Sequence, residues 1–182
     1  MELQLHVPNW EERYYEKELL RDPATMSYNA GYDISHPGYR KESGCIFLEE
    51  EDLYRRYQKR KEKDVFFALL QRKEDGRFVG TAEYHPDPQS GRIECGIVIE
   101  AAERHQGYGE EALYLLAAEA NKNGIRNLYD SFEKDRGHVR QLFESVGFRV
   151  VEKKRWLRFG EEAEGIVMMG ETERIIRKAA HC

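Results

Sequence analysis

Residues 92–111 read R-I-E-C-G-I-V-I-E-A-A-E-R-H-Q-G-Y-G-E-E, and this stretch decides the fold of the chain. Its first half is rich in isoleucine and valine, as in a buried strand, and a turn containing Gly107 and Gly109 follows. A helical pattern of apolar residues begins directly after the turn. Because the first turn of a helix has backbone N–H groups without internal acceptors, this order of elements predicts a cradle for phosphate.

Two common phosphate-binding loops are excluded by the spacing of these glycines. The chain has no G-x-x-x-x-G-K-[ST] sequence, and Ala112 stands where the dinucleotide fingerprint has its third glycine. A nucleotide-binding protein is an alternative interpretation of the cradle, and the missing lysine argues against it.

Composition and length indicate one domain without a membrane span. The 182 residues can bury a substantial core, 35% of them are charged, and no apolar run approaches the ~18 residues that cross a bilayer. The polar N-terminus does not resemble a signal peptide, so we expect a cytoplasmic protein. The net charge of −5 favours a cationic partner, and neither nucleic acid nor a membrane is expected as a partner. The oligomeric state is open, with a homodimer as one alternative.

The three cysteines, Cys45, Cys95 and Cys182, are odd in number and far apart in the sequence. This pattern argues against a disulfide framework and against a metal site of the C-x-x-C type. We expect reduced thiols, with Cys95 packed in the core, and no bound metal.

The elements before residue 92 predict an antiparallel arrangement. They are, in order, a strand at 3–7, a helix at 10–20, a turn-rich segment at 22–40, a helix at 49–63 and strands at 64–70 and 78–84. Asn9 is placed to cap the first helix. The many charges of the second helix are interpreted as a solvated face. The turn-rich segment is aromatic and suited to lining a pocket.

The elements after the glycine turn predict a crossover and a closing hairpin. They are a helix that ends near Gly124, a strand at 125–132, a helix at 135–146 and a hairpin over 148–169. A strand, a helix and a strand in succession make a crossover, so the strand at 125–132 should run parallel to the strand before the glycine turn. Residues 173–180 form a short helix or part of a loose tail at 175–182. The fold class is a mixed α/β sheet of about seven strands with about four to five helices, in a single domain over 1–182.

Two motifs in this chain resemble those of the GNAT superfamily of N-acetyltransferases. Arg104-x-x-Gly107-x-Gly109 resembles the family's pyrophosphate motif, [QR]-x-x-G-x-[GA], and follows a predicted strand as it does in that family. Residues 142–148, L-F-E-S-V-G-F, resemble the L-[YF]-x-x-x-G-F signature that closes the family's last core helix. The order of elements is similar over nearly the full chain. The resemblance implies a GNAT-like fold with acetyl-CoA as co-substrate.

The resemblance also implies which residues hold acetyl-CoA. Backbone N–H groups of the glycine turn would bind its pyrophosphate, namely those of Arg104, His105, Gln106, Gly107, Tyr108, Gly109 and Glu110. Main-chain groups of the strand before the turn, at Ile97, Val98 and Ile99, would bond the pantetheine arm and the acetyl carbonyl. Arg136 falls near an asparagine of the family and is a candidate ligand of the CoA phosphates.

An amine must lose a proton before it attacks the acetyl group, because an ordinary lysine amine has a pKa of about 10.4. Glu94 matches the glutamate that many relatives carry on this strand and is the first candidate for the base. Glu83, on the neighbouring predicted strand, is the alternative.

The family tyrosine that protonates the departing thiolate is replaced by Phe143, which has no proton to give. Tyr129, Ser131, His138 or a water are candidates for this role, and of these Tyr129 joins the two glutamates as a predicted catalytic residue. The thiolate could also leave unassisted, since a thiol has a pKa of about 8.5.

The resemblance therefore implies an acetyl-CoA-dependent N-acetyltransferase that acts by direct transfer to a primary amine of a small molecule or a protein, without a metal. The alternative is a non-catalytic acyl-CoA-binding sensor on the same fold, which Phe143 suggests. The acceptor itself is not readable from the sequence, because its pocket would be built from the turn-rich segment 22–40 and the closing hairpin.

Overall fold

One mixed sheet of seven strands runs through the computed structural model, which describes residues 1–180. The strands are β1 (Leu3–His6), β2 (Phe66–Arg72), β3 (Phe78–Pro86), β4 (Ile93–Ile99), β5 (Asn127–Glu133), β6 (Arg149–Arg158) and β7 (Glu161–Glu171). They lie in the order β1-β2-β3-β4-β5-β7-β6. All neighbours are antiparallel except β4 and β5, which are parallel. The mixed sheet and the parallel crossover predicted from the sequence are confirmed.

Six α-helices pack around the sheet within the described residues, more than the four to five expected. They are α1 (Tyr14–Arg21), α2 (Pro23–Met26), α3 (Glu50–Lys59), α4 (Tyr108–Lys122), α5 (Gly137–Val146) and α6 (Thr172–Ala179). The short α2 lies in the segment predicted to be only turns. The Asp22 side chain caps it by accepting hydrogen bonds from the backbone N–H groups of Ala24 and Thr25.

The first predicted helix begins as a 3₁₀ turn, Glu11–Arg13, that leads into α1. Asn9 caps this turn, because its side-chain oxygen accepts a hydrogen bond of 2.9 Å from the backbone N–H of Glu12. The predicted cap is therefore present, but α1 itself starts four residues later than the predicted helix.

The C-terminal helix α6 is anchored rather than loose. Ile175 is completely buried, and the Thr172 hydroxyl donates a hydrogen bond of 2.9 Å to the carbonyl of Ile125. Of the two alternatives for the end of the chain, the helix is present over Thr172–Ala179. None of the helices in residues 1–180 is long and apolar enough to cross a membrane.

The two faces of β4 contact different layers of the protein. Cys95 and its same-face neighbours Ile97 and Ile99 pack into the main core with α4, whereas Val98 packs on the opposite face with residues of α1, α2 and α3. Cys45 and Cys95 are buried free thiols, and Cys182 lies outside the described residues. Glu94 and Gly96 share the face of Val98, because side chains alternate along a strand.

Candidate active site

The strands β4 and β5 separate from one another in the middle of the sheet. Their one backbone pairing in the described part of the chain joins Glu94 to Tyr129, near the start of both strands. Beyond this pair the strands diverge toward the turn that precedes α4. The edge of β4 that faces β5 therefore has backbone groups without strand partners, which a ligand with amide groups can satisfy.

The glycine turn stands at the open end of this split. Gly107 has φ of +84° and occupies the position directly before α4, and a Cβ added to it would have no atom within 4 Å. Gly109, in the first turn of α4, is closer to its surroundings, since its Cβ would lie 3.0 Å from Leu142 Cδ2 of α5. The first glycine thus provides a left-handed backbone beside open space, and the second allows two helices to approach.

Arg104 holds the glycine turn in place through its side chain. Its guanidinium donates hydrogen bonds to the carbonyls of Thr25 at 2.7 Å and Ile99 at 3.3 Å, and the backbone N–H of Ala101 donates to the Thr25 hydroxyl at 3.0 Å. The side chain of Arg104 therefore ties the turn to α2, and what it can offer an anion is its backbone. His105 and Gln106, the other polar residues of the turn, are exposed.

Tyr28 lies between the two sides of the split. Burial raises the pKa of its phenol to about 12, and the charge of Glu83 on β3 acts in the same direction, as does that of Asp130 on β5. The Arg136 guanidinium lies 5.3 Å above the Tyr28 ring. Within residues 1–180 the Tyr28 hydroxyl makes no hydrogen bond, so it is available to a ligand. The sequence placed Tyr28 in the aromatic segment suited to lining a pocket, without singling it out from the other aromatic residues there.

Glu83 lies directly above Gly96. A Cβ added to Gly96 would come within 3.6 Å of Glu83 Cγ and 3.7 Å of its carboxylate oxygen Oε1. Glu83 also acts on the guanidiniums of α3: burial lowers the pKa of Arg60 to about 10, and Glu83 is one of the charges that oppose this change. Its charge is therefore shared with a basic cluster.

That cluster, which we call the Glu16 network, consists of Glu16 with Arg13, Arg56 and Arg60. Arg13 and Glu16 are both 1% exposed and form an ion pair. Arg56 Nε and Arg60 Nη2 bond the two oxygens of the same carboxylate at 2.7 and 3.0 Å. The prediction of a solvated face is wrong for Arg60, directly after α3, whose side chain is 12% exposed, whereas the Arg56 side chain is 41% exposed although it reaches the same carboxylate. Arg56 and Arg60 are four residues apart and lie on the same side of the helix as Leu53 and Tyr57. This spacing was the sequence signal that both arginines face the protein.

Glu94 makes no hydrogen bond and no ion pair with any other described residue. It pairs with His85 across β3 and β4 and with Tyr129 across β4 and β5, so it stands at the closed end of the split. No protein group among the described residues therefore competes with a ligand for this carboxylate.

Tyr129 is turned toward the opposite end of the sheet from the glycine turn. Its ring lies 5.1 Å below the Arg92 guanidinium, which is itself paired with Glu152 at 2.7 Å. The ring lines a depression of about 530 Å³ together with residues that precede β4 and β5. Of the other two candidates for proton transfer, His138 is exposed on α5 and Ser131 is partly buried on β5. None of these three candidates for proton transfer, Tyr129, Ser131 and His138, lies next to Tyr28 in the structure.

Asp130 was not singled out from the sequence, although it lies in the split. It alternates with Leu128 and Phe132, which face the main core, and it is the first residue of β5 beyond the pair with Glu94. Burial raises the pKa of its carboxyl to about 7, against a hydrogen bond from the backbone N–H of Ser131 at 2.7 Å. The sequence signal for Asp130 was its position between Leu128 and Phe132, as the one acid among the apolar residues that face inward from this strand.

Phe143 is buried between α5 and β5. Its ring lies 5.5 Å from that of Phe132 and 4.8 Å from that of Phe148, in an aromatic cluster between β5 and α5. Arg136, at the start of α5, also contacts Phe132, with 5.9 Å between its guanidinium and the ring. The predicted cofactor residue Arg136 therefore contacts both Tyr28 and the β5 side of the split.

The hairpin of β6 and β7 reaches across to the segment after α2. The backbone N–H of Phe159 donates to the carbonyl of Gly31 at 2.7 Å, and Arg158 Nε donates to that of Ala30 at 2.9 Å. Below this contact lies a depression of about 670 Å³ whose acids outnumber its bases, with Glu133, Asp135, Glu161, Glu162 and Glu164 against Lys134 and Arg158. The depression is a candidate surface for a cationic acceptor.

The described residues contain no group of three or more His, Cys, Asp or Glu side chains that could hold a metal ion. The split carries carboxyl, phenol and guanidinium groups, together with backbone N–H groups at the start of α4.

Comparisons with known proteins agree with this arrangement. The model of the acetyltransferase (GNAT) family matches residues 9–148. No curated protein sequence matches the chain. Among solved structures, spermidine N-acetyltransferase from Vibrio cholerae, in complex with CoA and spermine, is 12% identical with a TM-score of 0.75, over 96% of this chain and 98% of that chain.

Two further solved structures have the same fold. Ribosomal-protein-alanine N-acetyltransferase from Brucella melitensis is 17% identical with a TM-score of 0.72, over 94% of this chain and 99% of that chain. A GNAT superfamily phosphinothricin acetyltransferase from Sinorhizobium meliloti, in complex with acetyl-CoA, is 14% identical with a TM-score of 0.72, over 94% and 89%. At sequence identities this low, the similarity to these structures shows that the fold is shared.

Proposed function

Because the chain belongs to the GNAT family of acetyltransferases, we propose that it transfers the acetyl group of acetyl-CoA directly to a primary amine of a small molecule or a protein. The split between β4 and β5, which opens onto the left-handed Gly107, carries this proposal. A thioester arm fits such a split, since its amides can pair with a free strand edge while its phosphates reach the start of a helix.

The residues that would hold acetyl-CoA lie along this path. The pyrophosphate would lie on the backbone N–H groups of residues 104–110, where the open space at Gly107 admits it. The pantetheine arm would lie along the edge of β4 at Ile97, Val98 and Ile99. Arg136, next to Tyr28, would contact the phosphates.

The base in this proposal is Glu94, and Glu83 is its alternative. Both side chains lie on the face of β4 that Gly96 leaves open. Glu94 has no partner within residues 1–180, whereas the charge of Glu83 is shared with Arg56 and Arg60. The Glu83 carboxylate is engaged with the charges of the basic cluster and Glu94 is not, which favours Glu94.

The acceptor proposed is a small cationic amine. The acids of the depression below the β6–β7 hairpin favour a positively charged molecule, and one protein of the same fold acts on spermidine. Another protein of this fold modifies ribosomal-protein alanine, so a protein N-terminus is the second candidate class. The cytoplasm is the proposed location, since acetyl-CoA is available there.

The test is amine-dependent release of free CoA thiol from acetyl-CoA, screened with polyamines, aminoglycosides, amino acids and peptides. We expect release with at least one amine and an acetyl group on the product by mass spectrometry. Tight binding of acetyl-CoA without release for any amine class would support the sensor and contradict the proposed function.

A further inference from the structure

Asp130 is the acid on a face of β5 whose other residues, Leu128 and Phe132, are apolar and belong to the main core. It lies on β5 on the same face as Phe132, whose ring packs against Phe143. Along this face it is the next position toward the closed end of the split. The Phe143 ring has no proton to give, and Asp130 is the first residue of β5 beyond the Glu94–Tyr129 pair at which the strands separate.

The carboxyl of Asp130 is held in one orientation with one oxygen free. Its Oδ1 accepts a hydrogen bond of 2.7 Å from the backbone N–H of Ser131. Its Oδ2 accepts no hydrogen bond from any residue in 1–180 and keeps some solvent-accessible surface, since Asp130 is only partly buried. A carboxylic acid in this arrangement can offer its proton from Oδ2 to a group lying between the strands.

We propose that Asp130 is the acid that protonates the CoA thiolate as it leaves, a role that rests on the acetyl transfer proposed above. The amine nitrogen attacks the thioester carbonyl, the C–N bond forms and the C–S bond breaks. The amine proton passes to Glu94, and the sulfur takes the proton from Asp130. Glu94 and Asp130 then exchange one proton with solvent, which returns both to their starting states.

The groups that face Asp130 decide when it holds a proton. Burial is the largest influence and raises its pKa to about 7, and Glu94 on β4 acts in the same direction. The Ser131 N–H and the Arg136 guanidinium act in the opposite direction. Cys95 on β4 and the Tyr28 phenol also face this carboxyl, and its charge contributes to raising the pKa of both. An acid of this strength holds a proton near neutral pH and is stronger than a thiol, so proton transfer to a thiolate is downhill.

The role is tested with the substitution Asp130→Asn in the full-length protein, using the amine that the wild type acetylates. We expect kcat to fall about 100-fold, as for loss of a general acid, while the KM for acetyl-CoA changes less than about threefold. Asn matches the shape of the protonated acid, so the fold should be kept. Glu173→Gln on α6, an exposed acid paired with Arg177, is the control and should leave kcat unchanged.

The pH dependence separates this role from a purely structural one. In the wild type, kcat should fall as the pH rises above about 7, because Asp130 loses its proton, and the variant should lack this fall. A wild-type kcat that stays level up to pH 9 overturns the proposal even without the variant. Wild-type turnover with an unchanged kcat in Asp130→Asn overturns the role of Asp130 alone. Absence of wild-type turnover with every amine overturns the proposed function and this role with it.

Discussion

Glu94 and Tyr129 form the one backbone pair between β4 and β5 in the described residues, and the strands separate beyond it. This pair marks the closed end of the split, where the acetyl group of a bound thioester would come to rest. Glu94 contributes a carboxylate without partners to this point, and Asp130 follows Tyr129 directly. The chemistry proposed for the protein is concentrated around these neighbouring positions.

Loss of the proposed base should affect turnover and leave acetyl-CoA binding intact. We expect Glu94→Gln to lower kcat about 100-fold, because a general base contributes about that much, with no change in the Kd of acetyl-CoA measured by calorimetry. Glu83→Gln should lower kcat less than tenfold. The reverse order of the two effects would identify Glu83 as the base.

Stability should depend on pH through Asp130. In the unfolded chain its carboxyl loses its proton near the ordinary pKa of 3.8, but the folded protein keeps the proton until about 7. The folded state therefore loses stability relative to the unfolded state as the pH rises through this window. Each pKa unit corresponds to about 1.4 kcal/mol, and two units separate pH 5 from the folded pKa. The stability of Asp130→Asn relative to the wild type should therefore rise by about 3 kcal/mol between pH 5 and pH 8. Chemical denaturation of both proteins at pH 5 and pH 8 measures the difference in unfolding free energy between them. The same difference at both pH values would rule out the raised pKa.

The Glu16 network should be essential for stability. Glu16→Gln leaves the buried Arg13 and its two neighbours without a carboxylate, which we expect to cost about 3–5 kcal/mol of unfolding free energy. Glu173→Gln, which removes an exposed pair on α6, should cost less than about 1 kcal/mol. Equal losses in denaturant titrations of the two variants would show that the network is not integral to the fold.

The acidic depression should select the acceptor by charge. Glu162→Lys should raise the KM for a cationic amine roughly three- to tenfold at low salt, with a smaller effect at high salt because surface charges are screened. Glu173→Lys reverses a charge outside the depression and serves as the control. An identical KM for both variants would place the acceptor elsewhere.

The order of elements was predictable because it is encoded locally. Period-two and helical patterns predicted the strands and helices, and the crossover rule predicted that β4 and β5 run parallel. The position of Gly107 before a helix was also visible, since a glycine between a strand and a helical pattern indicates a turn. Each of these patterns can be recognised from residues that are close together in the sequence.

The side chains around the split were less predictable because they depend on tertiary packing. Arg56 and Arg60 belong to a segment that is charged along most of its length, and their pairing with the buried Glu16 on α1 depends on the packing of two helices. Tyr28 comes to the split because α2 and the Arg104 hydrogen bonds fold its segment over β4. Asp130 was overlooked because a single acid in a strand is usually exposed.

The two ends of α4 offer a matched test of the glycine cradle. Gly107 and Gly124 both have a left-handed backbone, with φ of +84° and +80°, and a Cβ on either would have no atom within 4 Å. Substitution at either position should therefore cost a similar amount of stability, roughly 1 kcal/mol from the backbone strain. Only Gly107 lies at the open end of the split.

Calorimetric titration of acetyl-CoA into the wild type, Gly107→Trp and Gly124→Trp most directly tests whether acetyl-CoA binds at the glycine turn. We predict binding by the wild type and by Gly124→Trp with similar Kd, and no detectable binding by Gly107→Trp while it remains folded by circular dichroism. Unchanged affinity in Gly107→Trp, or an equal loss in both variants, would contradict the assignment of this split as the acetyl-CoA site.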